Sequence, residues 1–471
     1  MGLQEFTDFY KKFFTEDDWS NFITSINTKL PSALRVTDTK FKEKIFNKLS
    51  VNLVLKNQYF KNVFDTIHRG QILKDFIINQ TNIGNIQRQE VVSMLPVLLM
   101  GLKNNYSVLD MCAAPGSKTK QLLEISDFVV ANDCNYKRLN VLVTETCKIP
   151  RKGFLVLKHD ASSLPVFKND FDRVLCDVPC SGDGTARKNP TILTNWKLNS
   201  AIGLSNLQYR ILKHSLKFIK DTGLVIYSTC SLNPIENECI INKIINEEDL
   251  EIIDLRENID ERISKEFVFR DGMTEIKEYG VFNEELKKCI RVYPHDNNTG
   301  GFFITGLRKK QNMNKERTKS EIVTTSNNNS ISDISEECRK KLQEEFDISE
   351  KIIIYKNKSK NTLYEVSDDI YKIMMNNKLN IIHCGYKIFE KCTLSETGYR
   401  MKNIPEKNDK FDIELSGKEV IENKSAKFTY QKGNVIVKLS DFDIKIAGFS
   451  HGEKVNLYIS NNLQKALLDF Y

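Results

Sequence analysis

No two of the eleven cysteines in this 471-residue chain are spaced CxxC. An odd, scattered set of thiols without an export signal argues for a reduced protein of the cytosol or nucleus rather than a disulfide scaffold. None of the six histidines, at positions 68, 159, 214, 295, 383 and 451, stands at ligand spacing from a cysteine pair, so no zinc site is expected. There is no run of 18 apolar residues, which excludes an expected membrane helix, and the opening MGLQEFTDFYKKFFTEDDW has no apolar core of a secretory signal. Neither GxGxxG nor a Walker pattern occurs, so a dinucleotide or triphosphate is not indicated. No internal repeat is found. What remains is the composition of a soluble globular protein, 40% hydrophobic and 28% charged. The net charge of +7 is compatible with a polyanionic partner without establishing one.

The texture changes along the chain. Residues 1–85 hold helical patterns such as Phe41–Val54. From about residue 105, short apolar runs ending in Asp or Cys alternate with helical stretches. The runs are Val108–Asp110, Phe128–Val130 with Asp133 beyond, Phe154–Leu157 with Asp160, Val174–Asp177, and Leu224–Tyr227 with Cys230. Buried runs joined by crossover helices predict a parallel α/β sheet, in which ligands sit outside the carboxyl ends of the strands. Cys289–Val292 and Phe302–Gly306, flanking Asn297–Gly301, predict a closing hairpin. Residues 309–339 are polar and rich in Asn, Ser and Lys, and read as a solvated linker before a localisation signal. The segment 340–471 reads as helical first and then rich in strands, over Phe428–Leu439, Ile444–Ala447 and Lys454–Ile459.

Chemistry-bearing residues gather at the expected strand ends. In DMCAAPGSKT, small residues let backbone approach a ligand, Pro115 fixes the turn, and a helix start offers free N–H groups. Asp133 suits a pair of ribose hydroxyls, and Asp160 could meet an adenine amino group. Either alone could as well be a turn or cap residue. Asp177 and Cys180 share the turn LCDVPCSGDGTARK, followed by Arg187 and Lys188, which could hold phosphates or simply be solvated. Cys176, inside its apolar run, reads as packing. Cys230 ends a strand in IYSTCSLNPIENE. Asn233, Pro234 and Glu236 predict a capped helix start beside it, whose partial positive charge would favour thiolate.

Taken in order, DMCAAPGSKT, ANDC, KHDASSLP, LCDVPCSGDGTARK, YSTCSLNPIENE and PHDNNTGGFF resemble the Nop/Sun-domain RNA cytosine-5 methyltransferases. GNIQRQEVVSMLP and PSALRVT look most like the branch that methylates tRNA. The resemblance implies a Rossmann-like class I methyltransferase α/β core over residues 86–308. It implies an RNA-contacting N-terminal α/β region over 1–85 and a small β-rich PUA-like RNA-binding domain over 340–471. S-adenosylmethionine would bind along Cys112, Ala113, Ala114, Pro115, Gly116, Ser117 and Lys118, with Asp133, Asp160 and Asp177 holding or orienting it. Cys230 would be the nucleophile that adds to the base, Cys180 would assist release, and Lys118 and Asp177 would lie beside the base. It also implies a tRNA partner, a monomer without metal, and the nucleus, nucleolus included, ahead of the cytoplasm. The aromatic that stacks on the flipped base has no name in the sequence.

Three other readings compete. Cys180 could be the nucleophile, as the Pro-Cys thiol is in DNA cytosine methyltransferases. The chain could be a catalytically silent RNA-binding scaffold, which the intact cofactor loop and both thiols oppose. It could use Cys180 and Cys230 for thiol–disulfide exchange, which the lack of a CxxC opposes.

Overall fold

The computed structural model describes residues 2–51, 55–56, 60, 62–65, 70–167, 170–259, 266–310, 331–346, 352–356, 362–392, 399–404 and 411–471. The expected parallel runs become strands β1 (Ser107–Asp110), β2 (Phe128–Asn132), β3 (Phe154–Leu157), β4 (Phe171–Asp177) and β5 (Ile219–Thr229). Four more strands extend the same sheet, β6 (Leu250–Ile253), β7 (Arg270–Asp271), β8 (Ile290–Val292) and β9 (Phe302–Lys309), and β10 (Ile381–Cys384) joins from far along the chain. The sheet order is β7-β8-β9-β5-β4-β1-β2-β3-β10, with β6 also paired to β9. Strands β1 to β5 run parallel, and β8, β9 and β10 are antiparallel to their neighbours.

Alternation along each strand sends neighbours to opposite faces. Leu109, Val130, Leu155, Val174, Val225 and Tyr227 enter one core, and Val108, Val129, Val156, Leu175, Leu224 and Ile226 the other. All are 3% exposed or less. Burying each such side chain is worth about 1.5–3 kcal/mol, and burial on both faces is why these runs read as continuously apolar. Strand order reverses between β1 and β4, so the crevice of a doubly wound sheet opens where their carboxyl ends diverge. The closing hairpin forms as expected, Ile290 facing Ile304, with a one-turn helix Pro294–Asn297 between its arms.

The flanking segments are more entangled than the sequence suggests. Near the N-terminus, a four-stranded sheet of Ala33–Val36, Leu55–Lys56, Val63–Asp65 and Ile86–Arg88 packs with helices Lys42–Val51 and Gln71–Asn82. The first two helices, Gly2–Tyr10 and Glu16–Ile26, pack instead on the central α/β unit, around Trp196, Leu232 and Tyr293. Residues 311–330 of the expected linker lie outside the described residues. Its end is already structured, since Ile331–Asp333 is a strand and a helix starts at Glu336, inside the 309–339 segment. The next part is less helical than expected. Ile352–Lys356, Thr362–Val366, Tyr386–Lys391 and Tyr399–Met401 join Ile331–Asp333 in a five-stranded sheet. The three strands expected after residue 428 form, as Gly433–Leu439, Ile444–Ser450 and Lys454–Leu457, in a second five-stranded sheet. That sheet's Val435, Val437, Phe442 and Leu457 share one core with Leu34, Phe41, Leu73 and Phe76 of the N-terminal region.

Candidate active site

Parallel register brings the two thiols together. Asp177 of β4 lies opposite Ser228 of β5, so Cys180, three residues beyond the first, meets Cys230, two beyond the second. Their Sγ atoms are 3.4 Å apart. The neighbouring strand β1 supplies the third part. Its loop runs through a cis Ala114–Pro115 peptide to Gly116, which holds φ +108° at the start of helix Ser117–Ile125. A side chain at Gly116 would be strained there and would press on Leu142 at 3.3 Å. Side chains in a first helical turn lean back toward the N-terminus. Lys118 therefore reaches over the strand ends, donating to Asp177 Oδ2 at 2.7 Å and Ser93 Oγ at 3.1 Å. Ser228 Oγ donates to the other Asp177 oxygen at 2.9 Å.

Cys180, Cys230, Lys118, Asp177 and Ser93 line one cavity of about 560 Å³. Of the residues singled out from sequence, it brings together Cys112, Ala113, Ala114, Pro115, Ser117, Lys118, Asp133, Asp160, Asp177, Cys180, Lys188 and Cys230. Gly116 shapes the loop from behind. Asp133 Oδ2 accepts from Ala114 N at 3.2 Å and Oδ1 from Asn135 N at 2.8 Å, leaving two of its lone-pair positions for a ligand. Asp160 caps the short helix Ala161–Ser163 through Ser162 N at 2.8 Å and still faces the cavity. Arg138 donates to Ala114 O and fixes the loop from the next helix.

Two expectations are corrected. Arg187 presents no free guanidinium to a phosphate. It is 6% exposed and donates to the carbonyls of Thr28, Lys29 and Thr299 and to Asn298 Oδ1, at 2.8–3.2 Å. A cation in the middle of an otherwise tight loop found backbone acceptors before solvent. The capped helix beside Cys230 also differs. Asn233 Oδ1 accepts only from Ile235 N, and the helix begins later, at Glu238. Glu236 turns away from any capping box. Its carboxylate accepts from Ser181 N and Oγ, Ser231 Oγ and Gln208 Nε2, and so ties the Cys180 loop to the Cys230 loop. The positive charge near Cys230 is instead the Lys118 ammonium, which interacts with it electrostatically.

Electrostatics separate the groups. Burial works against the Lys118 charge, but Asp177 outweighs it and raises Lys118 above its ordinary range. The bond to Cys230, with burial, pushes the Cys180 thiol well up, so Cys180 keeps its proton. Burial above all, with the Asp110 and Asp177 charges adding to it, pushes Cys176 up to about 12, consistent with packing.

Several site residues escaped the sequence. Glu90 Oε1 accepts from Gly300 N at 2.7 Å, and burial raises its carboxyl. Asp183 joins the N-terminal helices to both thiol loops. It accepts from Tyr10 Oη, Trp196 Nε1 at 3.2 Å and Leu232 N at 2.7 Å. Phe302, with Lys118 Nζ 5.2 Å above its ring, is the aromatic among the cavity-lining residues. Glu90 and Ser93 lie in GNIQRQEVVSMLP, a recognisable word whose meeting with Lys118 and Gly300 only tertiary packing decides.

Gly184 clasps three loops, donating to Cys230 O at 2.9 Å and accepting from Gly301 N at 2.7 Å. A Cβ there would collide with Gly301 O and lie 2.7 Å from Cys230 O. Gly184→Ala should cost at least about 2 kcal/mol of stability. It should also lower kcat more than it raises KM, because it displaces Cys230 itself. A melting temperature and kcat equal to the parent's would refute the clasp.

Asp110, at the end of β1, is 1% exposed, and burial pushes its carboxyl up to about 7. Thr119 Oγ1 donates to one oxygen at 2.8 Å, and the other has no hydrogen-bond partner among the described residues. The folded value lies above the unfolded one near 3.9, so this contribution to stability is complete below about pH 4 and lost as pH rises through 7. Asp110→Asn removes that loss. Its melting point should rise relative to the parent's between pH 5 and 8, by up to about 4 kcal/mol of stability. A difference that does not vary with pH would disprove the buried proton.

Comparison with known proteins meets this geometry. The family described as 16S rRNA methyltransferase RsmB/F matches residues 97–308. The tRNA (cytosine(49)-C(5))-methyltransferase of Pyrococcus abyssi is 32% identical over 251 residues, which cover 51% of this chain and 77% of that protein. The chain belongs to the RsmB/F methyltransferase family. A second match, to the NSUN2 Pre-PUA domain, covers residues 321–403. The multisite-specific tRNA:(cytosine-C(5))-methyltransferase of Saccharomyces cerevisiae is 34% identical over 65% of this chain and 54% of its own length. The chain spans about half the length of the first curated relatives it matches. Among solved structures, a methyltransferase homolog from Pyrococcus horikoshii superposes with a TM-score of 0.51 at 26% identity, over 62% of this chain and 90% of that one. This RsmB/F family member therefore carries the Rossmann-like core with a pre-PUA segment and a further β-rich region behind it.

Proposed function

We propose that the chain methylates carbon 5 of cytosine in RNA, tRNA above all, with S-adenosylmethionine as donor. One observation carries the reading: two thiols at 3.4 Å open into the same cavity as the loop Cys112–Lys118 and Asp133. Names of the relatives support the tRNA substrate. The cavity's residues fit the donor. Asp133 retains acceptor positions for ribose hydroxyls, the Ala113–Ser117 loop offers close backbone approach, and Asp160 stands at the rim beyond. Bound there, S-adenosylmethionine supplies an electrophilic methyl group on a sulfonium.

The chain's own residues do the rest. The base leaves its stack, at a cost of a few kcal/mol, and Phe302 offers it an aromatic wall. Cys230, as thiolate beside the Lys118 ammonium, forms a bond to carbon 6 and so pushes electron density to carbon 5. Lys118 and Asp177 place exchangeable protons and charge where the ring becomes electron-rich. Once carbon 5 bears the methyl group its proton passes to water, the carbon–hydrogen electron pair re-forms the carbon 5–carbon 6 double bond, the carbon 6–sulfur bond breaks, and its electron pair returns to the Cys230 sulfur, which can take a proton from Cys180. Cys180, still protonated at 3.4 Å, serves that release. Bisulfite sequencing of tRNA incubated with enzyme and donor should reveal newly protected cytosines. Protection absent, or confined to rRNA, would overturn the tRNA reading. The eleven free cysteines suit a reducing compartment, and we place the protein in the nucleus; a tagged chain excluded from nuclei would contradict this.

A further inference from the structure

Beside the catalytic cavity lies a second one of about 370 Å³, between the N-terminal region and the Arg187–Lys188 loop. The two are continuous. Arg88, Gln89, Glu90 and Lys188 line both, so what enters one reaches the wall of the other. The second cavity has two kinds of surface. Leu30, Pro31, Leu73 and Ile77 give it apolar walls. Lys29, Lys74, Arg88 and Lys188 are exposed, line it, and make no ion pair with any of the described residues. Elsewhere in the chain most cations near the site are committed, as Arg187, Lys118 and Arg35 are. The cavity is also preformed. Arg187 ties Thr28 and Lys29 to the loop of the catalytic part, and Arg35 holds Gln87 and Gln89 from behind.

We infer that this second cavity receives the nucleotide adjacent to the target cytosine, its base against the apolar walls and its phosphates on the four exposed cations, of which Lys188 also feels the Glu90 carboxylate. The inference rests on the RNA reading above and deepens it. Apolar faces with cations at the rim are what a single-stranded nucleotide requires, since the base stacks or packs while the backbone is neutralised. The volume is at the low end of small-ligand sites and suits one base rather than a duplex. Continuity with the catalytic cavity selects a neighbour on the same strand, because only a strand whose cytosine lies over Cys230 delivers its next residue to this wall. The polar groups of Gln89 are already used, by Arg35, Gln121 and the Ser93 carbonyl. Recognition is therefore by size and stacking surface more than by base edge, and any of several bases would be accepted.

The test uses the full chain and a tRNA-derived hairpin that it methylates, with the nucleotide on the 5′ or 3′ side of the target made abasic. Fluorescence anisotropy at fixed salt should show one of the two abasic hairpins binding about tenfold more weakly than the intact one. Leu73→Trp, which fills the cavity, should abolish that difference. Because Leu73 is buried, Lys74→Glu on the exposed face of the same helix provides an independent check. It should weaken the intact hairpin several-fold and lower the salt slope by about one. Equal affinity for intact and both abasic hairpins would overturn the proposal, as would Lys74→Glu binding with unchanged affinity and salt slope. Either result with cytosine methylation still occurring sinks this inference alone, whereas loss of methylation on every RNA offered to the parent chain sinks the wider reading. An acidic peptide that displaces nothing from the RNA complex, yet loses its binding on Lys74→Glu, would assign the cavity to a protein partner instead.

Discussion

Cys230→Ala enzyme should transfer no measurable methyl group from S-adenosylmethionine to tRNA, a loss of at least about 10⁴-fold in kcat. Without the thiolate, carbon 5 of cytosine stays a poor nucleophile. Cys180 is 3.4 Å away, and although it loses its bond to the Cys230 sulfur in this variant, its burial and the nearby Glu236 and Asp177 charges still hold its proton on. Binding should survive, because Cys230 touches the base only at its reacting edge. Isothermal titration with the methyl donor, and anisotropy with tRNA, should give affinities within a few-fold of the parent's. Radiolabelled methyl incorporation above background by this variant would transfer the nucleophile's role to Cys180.

Cys180→Ala should behave in the opposite way. The first half of the reaction needs Cys230, Lys118 and Asp177, all intact, so bond formation and methylation proceed. Release then lacks its neighbouring thiol. A covalent RNA–protein species should accumulate, visible as a slower band on a denaturing gel, with steady-state turnover down by about 10²–10³-fold. The band should vanish in the double variant with Cys230→Ala. A Cys180→Ala enzyme that turns over normally and traps nothing would remove Cys180 from the release step. A trapped band in Cys230→Ala and not in Cys180→Ala would exchange the two roles.

The sheet was readable because each parallel strand carries its own evidence, an apolar run that stops at Asp or Cys. The residues placed around the cavity were readable for a related reason: in a parallel sheet the strand ends are where chemistry collects, so Asp110, Asp133, Asp177, Cys180 and Cys230 lie in register. What the sequence hid is contact between distant segments. Nothing local marks Tyr10 as a partner of Asp183, or Glu90 as a partner of Gly300. Glu236 matched a helix-capping spacing and yet its carboxylate went to Ser181 and Ser231, where buried donors outcompeted a solvent-facing cap. Arg187 illustrates the same competition, since five acceptors on four residues of the fold displace water from its guanidinium. The shared core of residues 34–86 with residues 413–467 could not be read from either segment, because each is amphipathic alone and its partner is hundreds of residues away.

The outermost strand of the catalytic sheet, β10, is lent by a segment more than 200 residues downstream of the strand it covers. His383 and Cys384 align with Val156 and Leu155 of β3. An enzyme cut off after Lys309 would therefore present β3 as a bare, apolar edge with unsatisfied amide and carbonyl groups, an invitation to self-association. The tail acts as a hem: it finishes the fabric of the domain it follows.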